Sequence, residues 1–164
     1  MKELCLFILF IMGQMHTNAQ HGKATTERKT FSRTTSISET IDADPSTIWS
    51  LLTDSDDFQR WNSTIVSLEG KIEEGEKIKL VSTLDSTRTF KLKVKKFVAN
   101  EELVWGDAMG ERTYHLKQDG QRTIFTMREK IGGFMFPLFA NKIPSFDTSF
   151  EQFTADLKKE AESK

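Results

Sequence analysis

Ile37-Ser-Glu-Thr-Ile41-Asp-Ala43-Asp-Pro45-Ser-Thr-Ile48-Trp49-Ser-Leu51-Leu52-Thr-Asp54, followed by Phe58-Gln-Arg-Trp61-Asn62, is the stretch that decides the fold. Thr35, Ile37, Glu39 and Ile41 alternate with Ser36, Ser38 and Thr40, the period-two pattern of a strand with one buried face. Asp44 then stands at an N-cap position and Pro45 at the first helical position, where the missing N–H is not needed. Ile48, Leu51 and Leu52 form an i, i+3, i+4 stripe, so a short helix runs to about Asp54. Ser55-Asp56-Asp57 leads into another turn carrying Phe58 and Trp61.

Strand patterns dominate from Ile65 to Ile131. Lys71-Ile72 leads to a turn at Glu74-Gly75, and Ile78, Leu80, Ser82 and Leu84 alternate with Lys77, Lys79, Val81 and Thr83. A turn is expected over Asp85–Thr89. Phe90, Leu92 and Val94 then face inward while Lys91, Lys93 and Lys95 face water. Phe97 has the wrong parity to continue that face, which predicts a β-bulge at Lys95-Lys96. Asn100-Glu-Glu102 turns the chain into Leu103-Val104-Trp105-Gly106. Asp119-Gly120 reads as a two-residue type I′ hairpin loop. That loop pairs Gln118 with Gln121, sets Tyr114 opposite Phe125 and Arg112 opposite Met127, and leaves Glu129 diagonal to Arg112.

Gly132-Gly133 ends the strands, and Phe134-Met-Phe136-Pro137-Leu138-Phe139 is an apolar run broken by proline. The final segment is helical. Thr148-Ser-Phe-Glu151 fits a capping box, and Phe146, Phe150, Phe153, Leu157 and Ala161 make an apolar stripe opposite Lys158, Lys159, Glu160 and Glu162. An antiparallel sheet must bury one face, and the Phe-striped helix is the late element large enough to cover it. The fold class is therefore α+β: a curved antiparallel sheet of about six to seven strands around a long C-terminal helix, with a small helical segment after the first strand. Space between sheet and helix can hold a ligand.

The chain has 164 residues, enough for one domain, and 23 basic against 24 acidic side chains give a net charge of −1. No strong field draws nucleic acid, which is not an expected partner. Residues 1–20 differ from the rest. Lys2 precedes the apolar run Leu4–Met12, and Thr17 and Ala19 are small residues suited to a cleavage site. Nine apolar residues make only about 14 Å of helix, short of a bilayer core of about 30 Å. Residues 1–20 are thus expected to be a signal peptide cleaved after Ala19 or Gln20, giving a secreted or periplasmic protein with no stable membrane insertion. Cys5, the single cysteine, leaves with that segment. Residues 21–32 are polar and aperiodic, and are expected to be a flexible leader.

Several segments together resemble the SRPBCC/START-like (Bet v 1-like, polyketide cyclase/dehydrase) superfamily. Ile41-x-Ala43-x-Pro45-x-x-Ile48-Trp49-x-Leu51-Leu52-Thr53 is similar to its first strand and helix. Phe58-x-x-Trp61-Asn62 resembles its Trp-Asn-Pro loop, with Ser63 in place of proline. Trp105, the run Phe125 to Phe134 and the closing helix Phe150 to Glu162 resemble its later elements. The likeness spans residues 33–162 and implies a helix-grip fold with an internal cavity. Where relatives often carry Gly-x-His before the last hairpin, this chain reads Arg112-Thr-Tyr114-His115, a departure that touches any histidine chemistry.

Glu39 and Glu129 fall on apolar faces, where an ionised carboxylate needs a partner. Arg112 shares the face of Glu129. These three form a candidate polar group for orienting a ligand, or a structural ion pair. Trp61, Trp105, Tyr114, Phe125, Met127 and Phe150 are candidates to line the cavity, or ordinary core. The reading is binding of a small hydrophobic ligand (lipid, isoprenoid or aromatic metabolite). The alternative that the resemblance allows is a polyketide cyclase/hydratase-like enzyme using Glu129 or Tyr114 in proton transfer. A protein-interaction module is disfavoured, for want of an exposed apolar stripe. His16 and His21 precede the domain and His115 faces outward, so no metal and no cofactor is expected. Oligomeric state is left open.

Overall fold

Alternation along the first long strand holds throughout. Arg33, Thr35, Ile37, Glu39 and Ile41 of β2 (Ser32–Ile41) are all buried, and the residues between them are more exposed. The protein's structure, a computed structural model, describes residues 22–164; the expected signal segment lies outside them. After β1 (Thr25–Lys29) and β2 come α1 (Pro45–Thr53), α2 (Phe58–Trp61), β3 (Ile65–Glu69), β4 (Lys77–Ser82) and β5 (Asp85–Val98). They are followed by β6 (Glu102–Gly106), β7 (Gly110–Asp119), β8 (Arg122–Gly132), α3 (Phe136–Phe139), a 3-10 turn at Ala140–Lys142 and α4 (Asp147–Ala161).

All eight strands form one antiparallel sheet in the order β1-β2-β8-β7-β6-β5-β4-β3. Register shifts at Ile65/Ser67, Leu80/Ser82 and Val94/Lys96 mark irregularities in the second half of the sheet. An extra residue on one strand bends it and raises its twist, so this half curls over the helix. The irregularity at Val94/Lys96 falls where the parity of Phe97 predicts it.

The concave face is filled by the α4 stripe: Phe146, Phe150, Phe153, Leu157 and Ala161 are all buried. Phe153 stacks on Tyr114 of β7 at 5.6 Å and meets Trp61 edge-on at 5.7 Å. Ile48, Trp49, Leu51 and Leu52 turn the buried side of α1 into the same core. Each such side chain taken fully out of water is worth about 1.5–3 kcal/mol.

Four expectations are corrected. The sheet has eight strands rather than six or seven, because Thr25–Lys29, expected as flexible leader, is an edge strand. Its polar residues hide it from periodicity, yet Thr26 bonds Thr35 and Asp147, and the preceding Ala24 N–H bonds Glu151. The turn expected over Asp85–Thr89 is a tight one at 83–84, and Asp85 already pairs with Ser82. In the last hairpin Asp119 pairs with Arg122, so Gly120 and Gln121 form the loop. Gly120 has φ +64° and Gln121 does not share a positive φ, the type II′ pattern with glycine first. Finally, α4 starts at Asp147 after Phe146, without a side-chain cap. Glu151 is drawn instead to the backbone of Ala24 at 3.1 Å. The Asp44 side chain likewise makes no capping bond, although Pro45 starts α1 as expected.

Candidate ligand cavity

Antiparallel register carries one row of side chains across the sheet. Thr35, Glu129, Arg112, Trp105 and Val94 are successive neighbours on β2, β8, β7, β6 and β5. The adjacent row is Ile37, Met127, Tyr114 and Leu103. The two rows have different fates. Phe153 of α4 lies on Tyr114, which makes that row solid core. At the Arg112 row the helix is near its start, and the irregular chain from Phe139 to Phe146 forms the facing wall. A cavity of about 250 Å³ remains between them. Leu80, Phe90 and Leu92 on β4 and β5, with Trp105, form the sheet-side wall. Phe139, Ile143, Pro144 and Phe146 form the other, and Arg112 and Glu129 stand between them.

The Arg112–Glu129 pair, each side chain 18% exposed, is the partly buried charged feature of this site. Arg112 Nε donates to Glu129 Oε2 at 2.6 Å, and Nη2 converges on the same oxygen. The guanidinium also lies over the Phe150 ring, 5.2 Å from its centroid. Burial opposes the Arg112 charge, but Glu129 and the neighbouring Tyr114 together outweigh this and raise its pKa above the ordinary value. Burial pushes the neighbouring Tyr114 phenol up to about 12, against the lowering effect of Arg112. Tyr114 is therefore protonated at neutral pH. Its Oη has no hydrogen-bond partner among the described residues.

Of the nine residues nominated from sequence, Trp105, Arg112 and Glu129 line the cavity. The register brings Arg112 directly opposite Glu129 rather than diagonal to it, and sets Tyr114 opposite Met127. Tyr114, Phe125, Met127 and Phe150 are buried beside the cavity without lining it. Trp61 packs away from it, between Phe58 and Phe153. Glu39 is also elsewhere: it accepts from Lys158 Nζ at 2.9 Å and from the Gly22 N–H. The five apolar positions outside the lining, Trp61, Tyr114, Phe125, Met127 and Phe150, thus belong to the core that α4 packs on the sheet.

Arg33 is a residue sequence reading missed. Its inward parity on β2 was the available signal. It donates to the carbonyls of Ile143 and Pro144 at 3.2 and 2.8 Å and lies 4.6 Å from the Phe146 ring centroid, so it holds the facing wall in place. Burial lowers its pKa, against the raising effect of Glu129 and Asp147.

An exposed apolar patch lies near the cavity, sharing Met109 with its lining, contrary to the expectation of no exposed apolar stripe. Phe134 is 87% exposed and Leu138 72%, with Met135, Phe31 and Met109 also open. Backbone bonds from Gly132 to Met109 and from Gly133 to Phe31 gather three loops at this end, and Phe134 stacks on Phe31. Among the described residues no group of three or more His, Cys, Asp or Glu could hold a metal, and no helix is long and apolar enough to cross a membrane.

A sheet curled around one long helix, with a cavity at the helix's first turn, defines the helix-grip class. The chain belongs to the family described as polyketide cyclase / dehydrase and lipid transport, whose model matches residues 32–162. No curated protein matches it. Among solved structures it is similar to a conserved protein of unknown function, EF2215, from Enterococcus faecalis: TM-score 0.61, 16% identity, covering 84% of this chain and 75% of that one. CalU16 from Micromonospora echinospora matches at TM-score 0.54 and 16% identity, over 88% of this chain and 96% of its own. The Aha1 dimer from Colwellia psychrerythraea gives TM-score 0.59 and 20% identity, over 77% and 94%. At these identities the likeness is one of fold.

Proposed function

We propose that the chain binds a small, largely apolar molecule, a lipid, isoprenoid or aromatic metabolite, in the cavity between the sheet and Phe139–Phe146. The observation that carries this reading is the partly buried Arg112–Glu129 pair set between apolar walls around a volume of about 250 Å³. Apolar surface removed from water drives binding at about 25 cal/mol per Å², and the charged pair orients the ligand's polar end. The family description is in keeping with it. Native mass spectrometry of the purified protein tests it. A bound mass that disappears on denaturation is the expected result, and protein that stays empty and takes up no added apolar probe would refute it.

One observation favours a second reading, a cyclase- or hydratase-like enzyme. Glu129 sits on the cavity wall with Oε1 making no hydrogen bond among the described residues, so it is placed to accept a substrate proton. Tyr114 is a poorer candidate, being off the lining and protonated. Turnover of a recovered ligand that is lost in Glu129→Gln, with binding kept, supports the enzyme.

The secreted or periplasmic location rests on the pattern of residues 1–20. N-terminal sequencing of protein from its native host tests it, and a start at Met1 counts against it.

A further inference from the structure

Arg112 and Glu129 leave the cavity with a specific hydrogen-bonding capacity. Nε–H and an N–H of Nη2 converge on Oε2 of Glu129. A guanidinium carries five N–H donors. Among the described residues Arg112 makes no further hydrogen bond of ordinary length and angle, with the Tyr114 phenol as its other polar neighbour, and Oε1 of Glu129 meets no donor. The pair therefore keeps both donor and acceptor capacity, with its opposite charges already joined.

The surroundings do not unbalance this neutral pair. Arg33 gives its donors to two carbonyls and has Asp147 as counter-charge. Around the rest of the lining, Asp85, Asp107 and Glu111 stand against Arg88 and Lys142. Arg88 and Lys142 make no ion pair among the described residues, but the lining's carboxylates (Asp85, Asp107, Glu111, Glu129) outnumber its cations (Arg88, Arg112, Lys142), so it carries no net positive charge to draw an anion.

We propose that the cavity selects a neutral head group, a hydroxyl or carbonyl on an apolar body, and discriminates against the matching carboxylate. The proposal rests on the binding function above. A hydroxyl accepts from Arg112 and donates to Glu129 at once, and a carbonyl accepts from Arg112. A carboxylate also accepts from Arg112, but it sets a second negative charge beside Glu129. In a partly buried site such like charges are poorly screened. Glu129 is thus the specificity-determining residue, and it acts by repulsion.

Isothermal titration of the purified protein with decan-1-ol and with sodium decanoate, equal in chain length, tests the proposal at neutral pH. Decan-1-ol is expected to bind at least tenfold more tightly, a difference of about 1.4 kcal/mol. Glu129→Gln keeps the shape and an acceptor but releases the Arg112 charge, so decanoate should draw level or lead. The double variant Arg112→Gln/Glu129→Gln lacks both charges, and its affinity for decanoate should fall below that of Glu129→Gln. Decanoate binding as tightly as decan-1-ol to the wild type overturns the selectivity while leaving the binding function standing. Binding of neither probe removes the binding function, and the selectivity with it. Should Glu129→Gln fail to fold, the wild-type ratio alone decides.

Discussion

Lys158, on the closing helix, reaches across to Glu39 of β2: its Nζ donates to Oε1 at 2.9 Å and to the carbonyl of Thr40 at 2.6 Å. Glu39 is 7% exposed, so its charge depends on that partner and on the Gly22 N–H. Removing one member of a buried pair strands the other, at a cost of about 3–5 kcal/mol. Lys158→Met is therefore expected to destabilise by that order, measured by urea unfolding. Glu39→Gln/Lys158→Met should recover a large part of the loss. A single variant as stable as the wild type would mean the pair is solvated.

Acid should loosen the junction between β1 and α4. Asp147 accepts from Thr26 Oγ1 at 2.5 Å and from Ser145 Oγ at 2.8 Å, and these bonds hold its carboxyl below the ordinary 3.8. A pKa depressed in the folded state contributes stability above the unfolded value, about 3.9, and that stability is lost as pH falls through the folded value. Asp57 and Glu160, held down by hydrogen bonds from Arg60, act in the same window. Tm is expected to drop below about pH 4, with a shallower acid limb in Thr26→Val. An identical limb in the variant would rule out Asp147 as a contributor.

Gly120 takes φ +64° at the last hairpin, and a Cβ there would meet nothing within 4 Å. The effect of Gly120→Ala is then purely one of backbone, about 1–2 kcal/mol for a left-handed conformation in a residue with a side chain. Asn, which tolerates that region better, should lose less. Chemical denaturation of the two variants gives the comparison, and equal stability of Ala and Gly would contradict the type II′ loop.

Leu92 faces the cavity from β5. Leu92→Trp is expected to fill that space and abolish binding of any apolar probe. Because the void already exists, the variant should lose less than the roughly 1–3 kcal/mol typical of an overpacked core. Native mass spectrometry and a thermal melt read the two effects separately. Undiminished binding in a folded variant would place the ligand elsewhere.

Much of this architecture is legible in residue order, and the illegible part has a common cause. The parity of β2 and of the α4 stripe follows from alternation and helical spacing, and both are kept. The hairpin differs from its predicted register by two residues, an even number, so Arg112, Tyr114, Phe125 and Glu129 keep their face while changing partners. Face is local information; what lies on the face is not. Tyr114 and Trp105 are alike in parity, yet Phe153 covers one while the other borders a void. That difference is set by where α4 starts, which depends on contacts over a hundred residues apart in the chain, such as Thr26 with Asp147. Alternation turns Leu80, Phe90 and Leu92 inward, but that they border a void depends on the path of Phe139 to Phe146 before α4, a segment with no periodicity.

The edge strand β1 fastens the start of the closing helix. Ala24 and Thr26 hold the first turn of α4 through Glu151 and Asp147, and that turn follows Phe146, a wall of the cavity. Signal removal at the expected site leaves these two residues in place. Trimming past residue 26 would unfasten the helix start and open the cavity from behind. A protein trimmed past residue 26 is expected to lose the ligand proposed above before it unfolds.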